Sequence, residues 1–128
     1  MRLLLDTHAL LWWGENNERL SRGAAEAIDS GNHEVFVSAV SAMEIAMKFR
    51  LGKLPSAKPL VLAFEVETSA MGFLPLPITL THARVAGSLT ISHKDPFDRL
   101  LIAQALVEEI TLVSNEAIFD GSGISRLW

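Results

Sequence analysis

A chain of 128 residues, 49% hydrophobic and 20% charged, has the size and composition of one packed globular unit and excludes a disordered polymer. Its formal net charge of −4 argues against a protein that coats nucleic acid through many Lys and Arg contacts, but leaves room for an enzyme that meets nucleic acid locally. With no Cys, disulfides, thiolate zinc sites and a Cys nucleophile are excluded, and a reducing compartment is the natural fit.

The chain opens on the apolar run Met1 to Leu5, which ends at Asp6. That run is too short for a signal peptide and an acid follows at once, and no stretch nears the ~20 apolar residues of a membrane span. A cytoplasmic protein without membrane association is therefore expected. The same run reads as a buried strand of a parallel sheet, and such sheets bind ligands just beyond the carboxyl ends of their strands. Asp6 stands at that position, and it also suits the cap of a helix around Ala9 to Trp13.

After the polar turn Gly14-Glu15-Asn16-Asn17, a helix is expected over Ser21 to Asp29, then a second strand, Glu34 to Ser38. A helix from about Ser41 to Leu51 stops at Gly52. Pro55 and Pro59 precede a helix over about Leu60 to Met71, and Phe73 to Leu76 suggests a short third strand restricted by Pro75. A helix near Thr81 to Leu89 follows, then a strongly apolar one from Pro96 to about Glu108. Thr111 to Ser114 reads as a fourth strand and Ile124 to Trp128 as a further edge strand. Without repeats, low-complexity tracts or linkers, residues 1–128 read as a single domain. The alternation of strands and helices predicts a three-layer α/β/α fold around a mostly parallel sheet of four to five strands.

Four acids recur at strand ends or helix starts. Asp6 follows the first strand, Glu44 lies just past the second, Glu116 follows the fourth, and Asp98 opens the apolar helix. Each has an ordinary explanation. Ser41 to Glu44 fits a capping box, Glu44 and Lys48 fit an i,i+4 ion pair, and Asp95-Pro96-Phe97-Asp98 fits a capped helix start. Capping does not, however, require Asp98 to share the helix face of Leu101, Ile102 and Ala105, which packs on the sheet. Four carboxylates around one crevice repel one another unless a cation neutralises them or some take up protons. Oxygen donors without Cys or paired His favour Mg²⁺ or Mn²⁺ over zinc.

Leu4 to His8, Ser41 to Ile45 with Lys48 and Gly52-Lys53-Leu54, His93 to Gln104, and Leu112 to Glu116 with Phe119 together resemble PIN-domain ribonucleases, and among them the VapC-like toxins of bacterial toxin–antitoxin pairs. The resemblance spans essentially the whole chain, and the run His93-Lys94-Asp95-Pro96-Phe97-Asp98-Arg99 is its most specific part. It implies a PIN-like domain that hydrolyses RNA with Mg²⁺ or Mn²⁺, with Asp6, Glu44 and Asp98 as metal-binding acids. Glu116 stands where the family usually has Asp, a departure of one methylene. It further implies a homodimeric toxin, a cognate antitoxin protein that blocks the site in a heteromeric complex, and contact with DNA only indirectly through that antitoxin.

Asp95, Lys48, His93 and Arg99 are secondary candidates. His8 and His93 suit either phosphate contact or structural hydrogen bonding, and Arg99 suits a bridge to phosphate or to a neighbouring acid. Lys48, Arg50, Lys53 and Lys58 form a basic stretch open to an RNA backbone or simply to solvent. Trp12 and Trp13 fit a core or interface better than a base-stacking platform. A haloacid-dehalogenase-like phosphatase would need a second Asp at the place of His8, and a receiver domain would need a Lys where Ser114 to Glu116 stand. The alternative from another class is a PIN-like module, catalytically weak or inactive through Glu116, that binds RNA or protein.

Overall fold

The computed structural model describes residues 1–128, and its centre is a five-stranded sheet in the order β3-β2-β1-β4-β5. The strands are β1 (Arg2–Leu5), β2 (Glu34–Ser38), β3 (Leu74–Leu76), β4 (Thr111–Val113) and β5 (Arg126–Leu127), and every pairing is parallel. The seven helices are α1 (Thr7–Gly14), α2 (Arg22–Asp29), α3 (Ala39–Arg50), α4 (Lys58–Leu62), α5 (Phe64–Ala70), α6 (Leu80–Ser88) and α7 (Pro96–Glu108).

Leu3, Leu4 and Leu5 are fully buried, because β1 is the middle strand and both of its faces are covered. Their side chains alternate between two cores. Leu3 and Leu5 join Val35, Val37 and Val113 beneath α1, α2 and α4, whereas Leu4 and Leu112 meet Leu101, Ile102 and Ala105 of α7. The continuous apolar run is thus the signature of a strand between two helical layers. The three-layer expectation holds, and the sheet is parallel throughout.

Several local expectations shift. The cap of α3 is Ser38, whose Oγ accepts from the Val40 amide at 2.9 Å, so the helix begins at Ala39 rather than Ser41. The Ser41–Glu44 capping box is therefore absent, and both residues lie inside the helix. A chain leaving β2 can turn straight into α3 because the strand's last residue is itself the cap. The helix expected over Leu60 to Met71 is two short ones, divided at Ala63 (φ −148°, ψ 51°). Glu116 immediately precedes the 3-10 turn Ala117–Phe119. Proline is tolerated in β3 because that strand lies at the sheet edge.

Ser38 also donates from Oγ to Gln104 Oε1 at 2.5 Å, in a fully buried contact between the end of β2 and α7. Ser38→Ala is expected to cost about 1–2 kcal/mol, since it removes a cap and leaves the Gln104 carbonyl oxygen without its donor. A urea titration would check this, and an unchanged midpoint would contradict it.

Candidate metal centre

Strand register builds the site. Leu5 pairs with Val37 on one side and Val113 on the other, so β1 and β4 end level and β2 runs one residue further, to Ser38. Asp6 and Ser114, the first residues beyond β1 and β4, therefore stand level with Ser38, the last residue of β2. The Asp6 amide donates to the Val113 carbonyl at 3.0 Å, which fastens this rim to β4.

Asp6 is 4% exposed, and its Oδ1 accepts from the Ala9 amide at 2.8 Å, so it does cap α1. Capping alone does not account for its environment. Burial pushes its pKa up to about 6, the neighbouring Glu116 charge adds to that, and the Ser114 hydroxyl, the Ala9 amide and His8 offset only part of the rise.

Glu44 reaches the same place from the second turn of α3. Thr7 Oγ1 donates to its Oε1 at 2.7 Å and Lys48 Nζ donates to its Oε2 at 2.6 Å. Since the single Thr7 proton is used on Glu44, Ser41 Oγ donates to Thr7 Oγ1 across 3.0 Å. A chain of buried hydroxyls thus aims the carboxylate.

Asp98 enters from the first turn of α7, where Asp95 caps the helix by accepting from the Phe97 and Asp98 amides at 2.8 and 3.2 Å. His93 Nε2 lies 2.6 Å from Asp98 Oδ2, and the imidazole stacks on the buried Phe119 ring at a centroid distance of 6.1 Å. Burial raises the Asp98 pKa, the His93 hydrogen bond opposes this, and the charges of Asp95 and Glu116 reinforce it. Glu116 is the most exposed of the four acids. Its side chain is 40% exposed, and its Oε1 lies 3.9 Å from His8 Nδ1.

Asp6, Glu44, Asp98 and Glu116 line one small cavity of about 100 Å³, together with Asp95, Lys48, Thr7, His8 and Leu101. It opens beside a groove of about 950 Å³ bounded by Ile91 to Asp95, Asp98 and Glu116 to Ser122, apart from Phe119. No three His, Asp or Glu side chains form a ready cage for a metal ion in this conformation. The reason is visible in the contacts: Thr7 and Lys48 hold Glu44, His93 holds Asp98, and Ala9 holds one oxygen of Asp6. By donor type the set nonetheless fits a hard divalent cation, with carboxylates predominating and two of them carrying raised pKa values.

One secondary candidate changes character. Arg99 bridges to no acid. Its guanidinium donates to the carbonyls of Ala86, Leu89, Ile91 and His93 at 3.1, 2.6, 3.3 and 2.8 Å, tying the irregular segment before α7 to the helix. Trp12 is partly buried, with His8 stacked on it at 5.4 Å and Trp128 at its edge at 5.9 Å. Thr7, Ser41 and Ser114 are the members that motif reading passed over. The available signal was a hydroxyl residue next to an acid where a strand ends.

The sequence that builds this parallel sheet, with acids at its carboxyl edge, matches the PIN domain family model over residues 3–121. The chain belongs to the PIN-domain family. It is similar to Ribonuclease VapC22 of Mycobacterium tuberculosis, with 32% identity over 120 residues, covering 89% of this chain and 86% of that protein. The fold also matches VapBC2 from Rickettsia felis bound to a promoter DNA fragment, with a TM-score of 0.71 and 14% identity, over 99% of this chain and 98% of that one. FitAcB from Neisseria gonorrhoeae matches with a TM-score of 0.69 and 16% identity, over 98% and 96%. No helix is long and apolar enough to cross a membrane.

Proposed function

We propose that this protein is an endoribonuclease that hydrolyses RNA phosphodiester bonds with Mg²⁺ or Mn²⁺, and that it is the toxin of a toxin–antitoxin pair. The observation that carries the reading is the meeting of Asp6, Glu44, Asp98 and Glu116, from four separate segments, in one cavity at the carboxyl edge of the sheet. Similarity to a protein named as a ribonuclease supports the reaction, and fold likeness to VapBC2 and to a toxin–antitoxin complex from Klebsiella pneumoniae supports an antitoxin partner.

Asp6, Glu44 and Asp98 would hold the cation, with Glu116 supplementing them from the rim. A divalent ion supplies positive charge that acidifies water and offsets charge developing on a phosphodiester. The chain's own residues orient the acids. Thr7 and Ser41 aim Glu44, Asp95 sets the start of α7, and His93 occupies one oxygen of Asp98 while leaving the other free. The adjoining groove is large enough to carry the RNA strand past the cavity, and its Lys94 and Ser92 offer phosphate contacts.

Cleavage of an unstructured RNA is expected with Mn²⁺ and none with EDTA, and Asp98→Asn is expected to lower the rate at least ~100-fold. Cleavage undiminished in EDTA would refute the proposal. RNA binding without cleavage under any metal condition would select the binding-module alternative. Co-expression with a cognate antitoxin should yield an inactive heteromer; full activity in that complex would sink the partner assignment. Sedimentation of the isolated chain tests the expected homodimer. Because the Glu116 side chain is 40% exposed, where solvent screens its charge, Glu116→Gln should reduce the rate by no more than ~10-fold. A loss equal to that of Asp98→Asn would make Glu116 a full member of the set.

A further inference from the structure

Lys48 is the one ammonium or guanidinium that lines the acidic cavity. It reaches there from α3, one turn after Glu44, and its Nζ lies 2.6 Å from Glu44 Oε2. The other Glu44 oxygen is taken by Thr7. Both oxygens of this carboxylate are therefore engaged, and a cation that uses Glu44 must share or displace a partner.

The two partners are unequal. Thr7 is 5% exposed, sits in the first turn of α1 and is held in turn by Ser41, so it has nowhere to go. Lys48 carries a flexible four-carbon stem, and its side chain is 31% exposed. The nearby Arg99 is no substitute, since backbone carbonyls consume its guanidinium.

We propose that Lys48 is an exchangeable counter-ion: it covers Glu44 Oε2 in the metal-free protein, yields that oxygen to an arriving divalent cation, and then contacts the RNA phosphate beside the cavity. This rests on the ribonuclease reading for its second half only. Before the cation binds, Lys48 is committed to Glu44 and the cluster stays strongly acidic, so phosphate is repelled. After the exchange, the charge of the cavity is largely neutralised and a free ammonium stands at its mouth. RNA affinity is thereby coupled to metal occupancy through one side chain. Lys48 is a substrate-positioning residue on this account, and it takes no proton in the reaction.

The test compares the native protein with Lys48→Met and Lys48→Arg, each checked for native melting behaviour. Calorimetric titration of RNA-free protein with Mn²⁺ should show Lys48→Met binding roughly 3- to 10-fold more tightly, because a competing ion pair is gone. In steady-state cleavage the same variant should raise KM about 10-fold with a smaller change in kcat, and reduce the salt slope of RNA binding by about one. Lys48→Arg should recover most of the KM. A purely structural ion pair would leave Mn²⁺ affinity unchanged or weaken it, and either result overturns the exchange. Unchanged KM in Lys48→Met overturns the phosphate contact. If the native protein cleaves no RNA, the ribonuclease reading and the phosphate contact fail together, while the Mn²⁺ titration still decides the exchange.

Discussion

Asp6→Asn is expected to lower metal-dependent RNA cleavage roughly 10³-fold and, in the metal-free protein, to increase stability at pH 7. A residue that only caps α1 would do neither. Asn caps a helix about as well as Asp, so the bond from the Ala9 amide survives the substitution. The charge does not. Burial holds the Asp6 carboxyl at about 6 against an ordinary value of 3.8, so ionising it in the folded state is unfavourable.

The sign follows from proton binding. Below pH 3.8 Asp6 is protonated in both folded and unfolded chains and carries no penalty. Between pH 3.8 and about 6 the folded chain holds the extra proton, so stability falls as pH rises, and above pH 6 the whole penalty is present. That penalty is on the order of 1–3 kcal/mol, and Asp98 contributes with the same sign. Melting in EDTA from pH 4 to 7 should therefore show the native protein losing ground to Asp6→Asn, and added Mn²⁺ should restore the native protein alone. A variant that melts lower than native at pH 7 would contradict this.

Arg99→Met is expected to cost about 2–4 kcal/mol and to lower cleavage indirectly, although Arg99 touches no acid. Its guanidinium serves four carbonyls of residues 86–93, a stretch that leaves α6 and reaches α7. One of those carbonyls belongs to His93, whose imidazole holds Asp98. Loosening this segment frees His93 and hence Asp98. Lys in place of Arg should recover little, because a single ammonium does not reproduce the planar fork. Urea midpoints check the stability, and hydrogen exchange of the 89–94 amides checks the loosening. Wild-type stability in Arg99→Met would show that water replaces the guanidinium without cost.

The layout of the fold was legible because it depends on short-range pattern. Three consecutive buried leucines before Asp6 require a strand covered on both sides, and the capped start at Asp95-Pro96 requires a helix there. The break at Ala63 was not legible, since Leu60 to Met71 carries no Gly or Pro to divide it. Ser41 misled for a related reason: Ser38 and Ser41 are equivalent caps by local chemistry, and only the point where β2 stops decides between them.

The site divides in the same way. Residue order alone determined that acids follow the strand ends, that a hard divalent cation suits them, and that Glu116 departs from the family pattern. Tertiary structure decided which groups hold each acid: Thr7 and Lys48 on Glu44, His93 on Asp98, carbonyls rather than acids on Arg99. Periodicity and capping act over a few residues and leave their mark in the sequence. The hydrogen bond between Thr7 and Glu44 joins residues 37 apart, and it exists because parallel register brings the carboxyl ends of β1, β2 and β4 to one edge of the sheet.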